Sequence, residues 1–308
     1  MTDPQAAATR EIIDDLLRQD ARIAPKYFYD ACGSALFEDI THLPEYYPTR
    51  TEREIMATHG AAIGRRVGAG GTVIELGAGN CEKARTLCEL IRPARFVAVD
   101  ISADFLHEAA AGLRAAFPGL DFHVVVADLT AELVMPSDLP WQQRLVFYPG
   151  SSIGNFDPPA ALDLLSRIRR LVAEDGGLLI GIDLQKEVAV LEAAYDDAAG
   201  VTAAFNLNVL NHANRLTGSD FDLHHWHHRA FFNTAESRIE MHLEAATDTR
   251  VTWPGGERLF RRGERIHTEN SYKYRIGDFI ELLDRAGFHH AEAWTDEKRW
   301  FAVILARP

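Results

Sequence analysis

Between Thr72 and Asp183 five short apolar runs alternate with helical stretches, and this alternation constrains the fold more than any other feature of the chain. The runs are Thr72–Leu76, Arg95–Val99, Phe122–Ala127, Arg144–Tyr148 and Leu178–Asp183, and amphipathic periodicity fills the gaps near 82–92, 103–116 and 158–173. Strands alternating with helices at this spacing imply βαβ units, hence an α/β fold with a parallel, doubly wound sheet. Its ligand crevice is expected at the carboxyl ends of the strands.

The flanks read differently. Ile12, Ile13, Leu16 and Leu17 fall at helical spacing within residues 8–20. From Lys26 to Arg50 the chain carries Tyr27, Phe28, Tyr29, Phe37, Tyr46 and Tyr47, with Pro44 and Pro48 interrupting any long helix, too aromatic a stretch for a linker. After Asp183 a helical stretch runs from Glu187 to about Asn214, followed by Phe221–Phe232 and an alternating strand, Arg238–Ala246. Pro254 and Gly255-Gly256 mark a turn, Arg265–Tyr274 reads as extended, and a helix over Ile276–Ala286, stopped by Gly287, precedes strands at Ala291–Trp294 and Trp300–Leu305.

Glu75-Leu76-Gly77-Ala78-Gly79-Asn80 follows the first strand and precedes a helix, where glycines let the backbone turn sharply and approach a ligand. Counted from Gly77, the third position of a dinucleotide fingerprint is Glu82, whose carboxylate would repel a pyrophosphate. A ligand without phosphates is favoured, and S-adenosylmethionine (SAM) fits. Its amino acid end would lie over the glycines, Lys83 would reach its carboxylate, Asp100 after the second strand would grip its ribose, and Asp128 after the third would meet its adenine amino group.

Composition narrows the partners. A formal net charge of −13, with Arg169-Arg170 and Arg261-Arg262 only short pairs, argues against nucleic acid. No apolar run reaches membrane-spanning length, Met1-Thr2-Asp3-Pro4 lacks the features of a signal peptide, and Cys32, Cys81 and Cys88 show no metal or disulfide spacing, so a cytoplasmic, membrane-free protein is expected. His224 and His228 have the i, i+4 spacing of helical zinc ligands, but the third ligand and the glutamate base are not evident; a solvent-facing helix and no metal are expected.

Several stretches together resemble the ergothioneine-pathway histidine Nα-methyltransferase family over roughly residues 22 to 306. They are Tyr27-Phe28-Tyr29-Asp30 with Gly33-Ser34 and Leu36-Phe37, Leu43-Pro44-Glu45-Tyr46-Tyr47-Pro48-Thr49-Arg50, Glu75-Leu76-Gly77 with Glu82-Lys83, and Gly150 to Asn155. Ile239-Glu240-Met241, His267-Thr268-Glu269-Asn270-Ser271 and Trp294-Thr295-Asp296 complete the pattern. The resemblance implies a Rossmann-like SAM methyltransferase domain, residues 1–20 and 51–186. It also implies a second, α+β domain, residues 21–50 and 187–308, that binds histidine. Methylating L-histidine three times on its α-amino group would give the betaine hercynine and S-adenosylhomocysteine (SAH), with the enzyme expected to be a monomer.

By matching positions, Tyr46, Gly150, Asn155 and Tyr195 would hold the amino acid end of the substrate, Glu269 and Ser271 its imidazole, and Met241 would sit beside the ring. Tyr29 and Phe37 would border the amine, with Tyr29, Tyr46 and Asn155 nearest the chemistry. Glu75, Gly77, Gly79, Lys83, Asp100, Asp128 and Leu129 would serve the cofactor. Residue chemistry agrees: on a strand Glu269 and Ser271 share one face, so both can reach one imidazole, and aromatic faces attract a quaternary ammonium by about 0.5–2 kcal/mol. Tyr47 reads as structural, and a surface ion pair with Lys273 is the plain alternative for Glu269. Competing readings are methylation of another aromatic amino acid such as tryptophan, or a non-catalytic SAM-binding module; a bulky indole would want an apolar residue in place of Glu269.

Overall fold

The structure, a computed structural model, describes residues 4–101 and 103–308, so the reading of Met1–Asp3 lies outside it. In chain order the elements are α1 (Pro4–Leu16), α2 (Ala31–Thr41), α3 (Tyr47–Val67), β1 (Thr72–Leu76), α4 (Glu82–Ile91), β2 (Arg95–Asp100), α5 (Ala103–Ala116), β3 (Asp121–Val126) and β4 (Arg144–Tyr148). There follow α6 (Pro158–Arg169), β5 (Gly177–Asp183), α7 (Val188–Ala193), α8 (Val201–Thr217), β6 (Trp226–Asn233), β7 (Arg238–Ala245) and β8 (Thr249–Trp253). The last are β9 (Gly256–Phe260), β10 (Arg265–Tyr272), α9 (Ile276–Arg285), β11 (His290–Thr295) and β12 (Phe301–Arg307). They divide into two compact units: residues 1–47 with 187–271, and residues 48–186 with 272–308.

The second of these units is a seven-stranded sheet in the order β11-β12-β5-β4-β1-β2-β3. Strands β1 to β5 run parallel, and β12 lies antiparallel between β5 and β11. Side-chain alternation sorts the core onto the two faces. Ile74, Leu76, Val97, Val146 and Ile180 meet Leu164 and Ile168 of α6 and Phe279 and Leu283 of α9. Val73, Phe96, Ala98, Phe147 and Leu179 meet Ile55 of α3, Leu87 of α4 and Leu106 of α5. All five residues of β1 are buried, as expected when helices cover both faces of a parallel sheet. The strand order reverses between β1 and β4, which pair in parallel, and their carboxyl ends open the crevice where ligands of such sheets bind.

The other unit carries a three-stranded antiparallel sheet, β10-β7-β6, and a hairpin, β8-β9. The Pro254-Gly255 turn of that hairpin follows from a proline before a glycine at φ 92°. Phe28 stacks on Phe205 of α8 at 4.6 Å, and Asp30, which caps α2 by accepting the Gly33 amide, also accepts from Asn208 of α8 at 2.8 Å. The aromatic segment is thereby fixed to α8.

Two boundaries differ from expectation. Residues 4–20 group with α8 and not with the large sheet, with Thr9 donating to the Leu216 carbonyl at 2.6 Å. Residues 272–308 complete the large sheet, because β12 covers the edge that β5 would otherwise leave unpaired. The first helix also ends at Leu16, where Arg258 takes the freed carbonyl, and Leu17 is exposed.

Candidate active site

The loop after β1 forms as its glycines require. Gly77 and Gly79 adopt φ of 66° and 49°, and a Cβ on Gly77 would meet nothing within 4 Å, so the backbone there borders open space. Gly77 and Ala78 donate to the Val99 carbonyl, and Gly79 donates to Asp100 Oδ2 at 2.9 Å, tying the loop to the end of β2. Glu75 is 1% exposed, and its Oε2 has no hydrogen-bond partner. Burial holds its carboxyl well above the usual range, with Asp100 and Glu52 adding to the rise and Lys83 opposing it. A buried carboxyl with one unpartnered oxygen beside an open glycine turn suits a cationic ligand without phosphates, so these residues fit SAM. Asp128 Oδ1 accepts from the Thr130 amide and hydroxyl, closing a local turn, and Leu129 packs half-buried on the core.

Cys81, at φ 55° before α4, and Cys88 are buried. Burial is the main cause that raises both thiols, Cys88 to about 12, which keeps them protonated and unreactive.

At the end of the neighbouring β4 the chain turns through Gly150 and a single 3₁₀ turn, Ser152–Asn155. Ser151 takes the positive φ of 61°, and Asn155 closes the 3₁₀ turn without one. Its amide is half-buried and makes no side-chain hydrogen bond among the described residues. Ser151 Oγ accepts the Asp183 amide at 2.8 Å, anchoring the loop to β5. Lys83, expected to reach the carboxylate of the cofactor, pairs with Glu52 of α3 at 2.8 Å, a residue that no motif had singled out.

In the other unit, side chains scattered through the sequence form one aromatic wall. Tyr29 and Phe37 meet edge to face at 5.8 Å, Phe37 and Tyr46 at 6.2 Å, and Tyr46 and Tyr195 at 6.4 Å. Phe205 lies 6.0 Å from Tyr29 and 5.9 Å from Phe37, which makes it a member that sequence reading missed. Tyr195 Oη and Ser271 Oγ are 2.7 Å apart. Met241 is buried on β7, and Thr268, next to Glu269 on β10, donates to the Met241 carbonyl at 3.0 Å. Tyr47 is fully buried, as a structural residue should be.

Glu269 is 8% exposed, so its carboxylate is not a surface group, and Lys273 pairs with Asp183 at 2.8 Å. Burial alone would raise the Asp183 carboxyl, but Lys273 and Lys186 together hold it low.

The histidine run is not a helix. His224 and His225 lie in a 3₁₀ turn and His227 and His228 on β6, so the i, i+4 argument loses its geometry. His228 is inward: its Nε2 bonds the Tyr195 carbonyl at 2.9 Å and its Nδ1 bonds Asn206 Nδ2 at 2.8 Å. A neutral ring with the proton on Nε2 satisfies both partners, and burial lowers its pKa in the same sense.

A family model described as histidine-specific methyltransferase, SAM-dependent, matches residues 8–308. The chain belongs to that family. Its cofactor is therefore SAM, and its reaction is methyl transfer. The chain is 41% identical to the histidine N-alpha-methyltransferase of Mycolicibacterium smegmatis, over 97% of its own length and 94% of that protein. It is 29% identical to ergothioneine biosynthesis protein 1 of Neurospora crassa, over 91% of its length but 32% of that longer protein. A solved structure from Thermobifida fusca, described as a methyltransferase, shares the fold with a TM-score of 0.50 and 11% identity, covering 93% of this chain and 94% of the other.

Proposed function

We propose that the chain transfers methyl groups from SAM to the α-amino nitrogen of L-histidine, three times in succession, yielding hercynine for ergothioneine synthesis, and that it works as a cytoplasmic monomer. Membership of the histidine-specific family carries the reading, and Glu269 with Ser271 supplies its chemistry. A carboxylate accepts from one ring nitrogen and a hydroxyl serves the other, leaving the α-amine to be placed by Asn155, Tyr46 and Tyr195.

SAM supplies a methyl group on a sulfonium, open to in-line attack by a neutral amine. The protein's task is mainly positioning: well-oriented reactants recover several kcal/mol of the barrier without a strong base. Tyr29 and Tyr46 offer hydroxyls through which an ammonium proton can leave by way of water. The aromatic wall of Tyr29, Phe37 and Tyr46 tolerates a growing number of methyl groups because it binds a quaternary ammonium through ring faces and makes no directional bond to it.

Incubation with histidine and excess SAM, followed by mass measurement, should show histidine carrying three methyl groups. Glu269→Ala and Asn155→Ala should each lower kcat/KM for histidine roughly ten- to a hundredfold, the range for losing a hydrogen bond to a charged group. Methylation of tryptophan with histidine untouched would refute the specificity.

A further inference from the structure

Glu52, on the second turn of α3, is 4% exposed. Both its oxygens accept from the Gly150 amide, at 3.0 and 3.1 Å, and its Oε2 pairs with Lys83 Nζ at 2.8 Å. Three segments distant in sequence thus converge on one carboxylate: α3, the first turn of α4, and the start of the loop that ends in Asn155. The packing reserves room for it at two glycines. A Cβ at Gly181 of β5 would lie 2.3 Å from Glu52 Oε1, and one at Gly150, already at φ 78°, would lie 2.8 Å from Lys83 Nζ. Alternation along β1 puts Glu75 on the sheet face that α3 and α4 cover, so Glu52 and Lys83 enter the cofactor crevice from that side.

We propose that Glu52 is a positioning residue for methyl transfer, holding Lys83 ready for the carboxylate of SAM and, through the Gly150 amide, fixing the loop that carries Asn155. The inference rests on the functional reading above, in which Lys83 serves the cofactor and Gly150 and Asn155 serve the substrate. An ammonium has three donors, and the Lys83 side chain is 34% exposed, so it can keep Glu52 and still donate outward. Without Glu52 the lysine regains its rotamer freedom and the Gly150 amide loses its acceptor, so cofactor and substrate contacts loosen together.

Two substitutions separate the two bonds. Glu52→Gln keeps an oxygen for the Gly150 amide but turns an amide toward an ammonium it cannot hold, whereas Glu52→Ala removes both functions. Calorimetry with SAH should show roughly tenfold weaker binding in Glu52→Gln, with KM for histidine near that of the unsubstituted enzyme. In Glu52→Ala both should weaken, and hydrogen exchange of the Gly150 amide in ligand-free protein should speed up in this variant alone. Lys83→Met should match the SAH loss of Glu52→Gln, and the double variant Glu52→Gln/Lys83→Met should bind no more weakly than Lys83→Met, because Glu52 acts through the lysine. Additive losses, equal damage to SAH and histidine binding in Glu52→Gln, or unchanged exchange at Gly150 would overturn this inference alone. Normal SAH binding by Lys83→Met, or an unsubstituted enzyme that leaves histidine unmethylated, would overturn the functional reading and this inference with it.

Discussion

At the scale of single residues, buried polar groups decide more than their number suggests. Glu240 sits on β7 with Asn233, Arg238 and His242 around its carboxylate at 2.7 to 3.0 Å. Burial would raise its pKa, but those hydrogen bonds bring it down to about 2. His242 moves down to about 4 because burial outweighs the attraction of Glu240. Both folded values lie below the unfolded ones, so acidification protonates the unfolded chain first and stability falls as pH drops. The loss begins near 6.5 and continues through 4 for His242, and runs from about 4.5 to 2 for Glu240. Between pH 7 and pH 4.5, denaturant melts should lose about 2 to 3 kcal/mol more in the unsubstituted protein than in His242→Phe, because His228 and His267, also lowered by burial, add their own loss to both. An unchanged slope in His242→Phe would assign the loss to other groups.

Among the elements, α8 shows how a helix can be built around amide side chains. Asn206 is fully buried, donating to His228 Nδ1 and the His242 carbonyl and accepting from Thr268 at 2.7 Å. One side chain thereby joins α8 to β6, β7 and β10, and through His228 it steadies the Tyr195 carbonyl. Asn206→Ala should cost about 2 to 4 kcal/mol, since it strands partners that cannot reach water, and should lower the denaturant midpoint at constant m-value. A cost near zero would mean that the three bonds are easily replaced. Legibility also varies by element. Strands β1 and β4 are legible to the residue, because their apolar runs are buried on both faces and bounded by breakers. The histidine run reads as a helix but folds as a turn and a strand, because four histidines in five residues carry no periodicity that separates the two; the inward turn of His228 depends on Asn206, twenty-two positions earlier.

For the molecule as a whole, the chain passes between its two units near residues 47, 186 and 271, so each unit is assembled from segments far apart in sequence. The functional reading gives the cofactor to one unit and most substrate groups to the other. Hydrogen exchange should register the division: SAH at a hundredfold excess over its Kd should add about 2.7 kcal/mol of stability and protect amides near Gly77, Lys83, Asp100 and Gly150. Histidine should protect those near Phe37, Tyr195 and Glu269. Protection by SAH confined to the second set would reverse the assignment of the units.

The sequence by itself determined the alternating strands and helices, the glycine turn after β1, the acids Glu75, Asp100 and Asp128 at or just beyond the ends of β1, β2 and β3, and the family, because each is written in local spacing or in contiguous motifs. Tertiary structure alone decided that Glu52 holds Lys83, that Phe205 completes the aromatic wall, and that Lys273 pairs with Asp183. It also decided that the last strands close the large sheet. These are pairings between residues tens to hundreds of positions apart, and a buried charge or an open strand edge takes whichever partner the packing brings within reach, which no local pattern encodes.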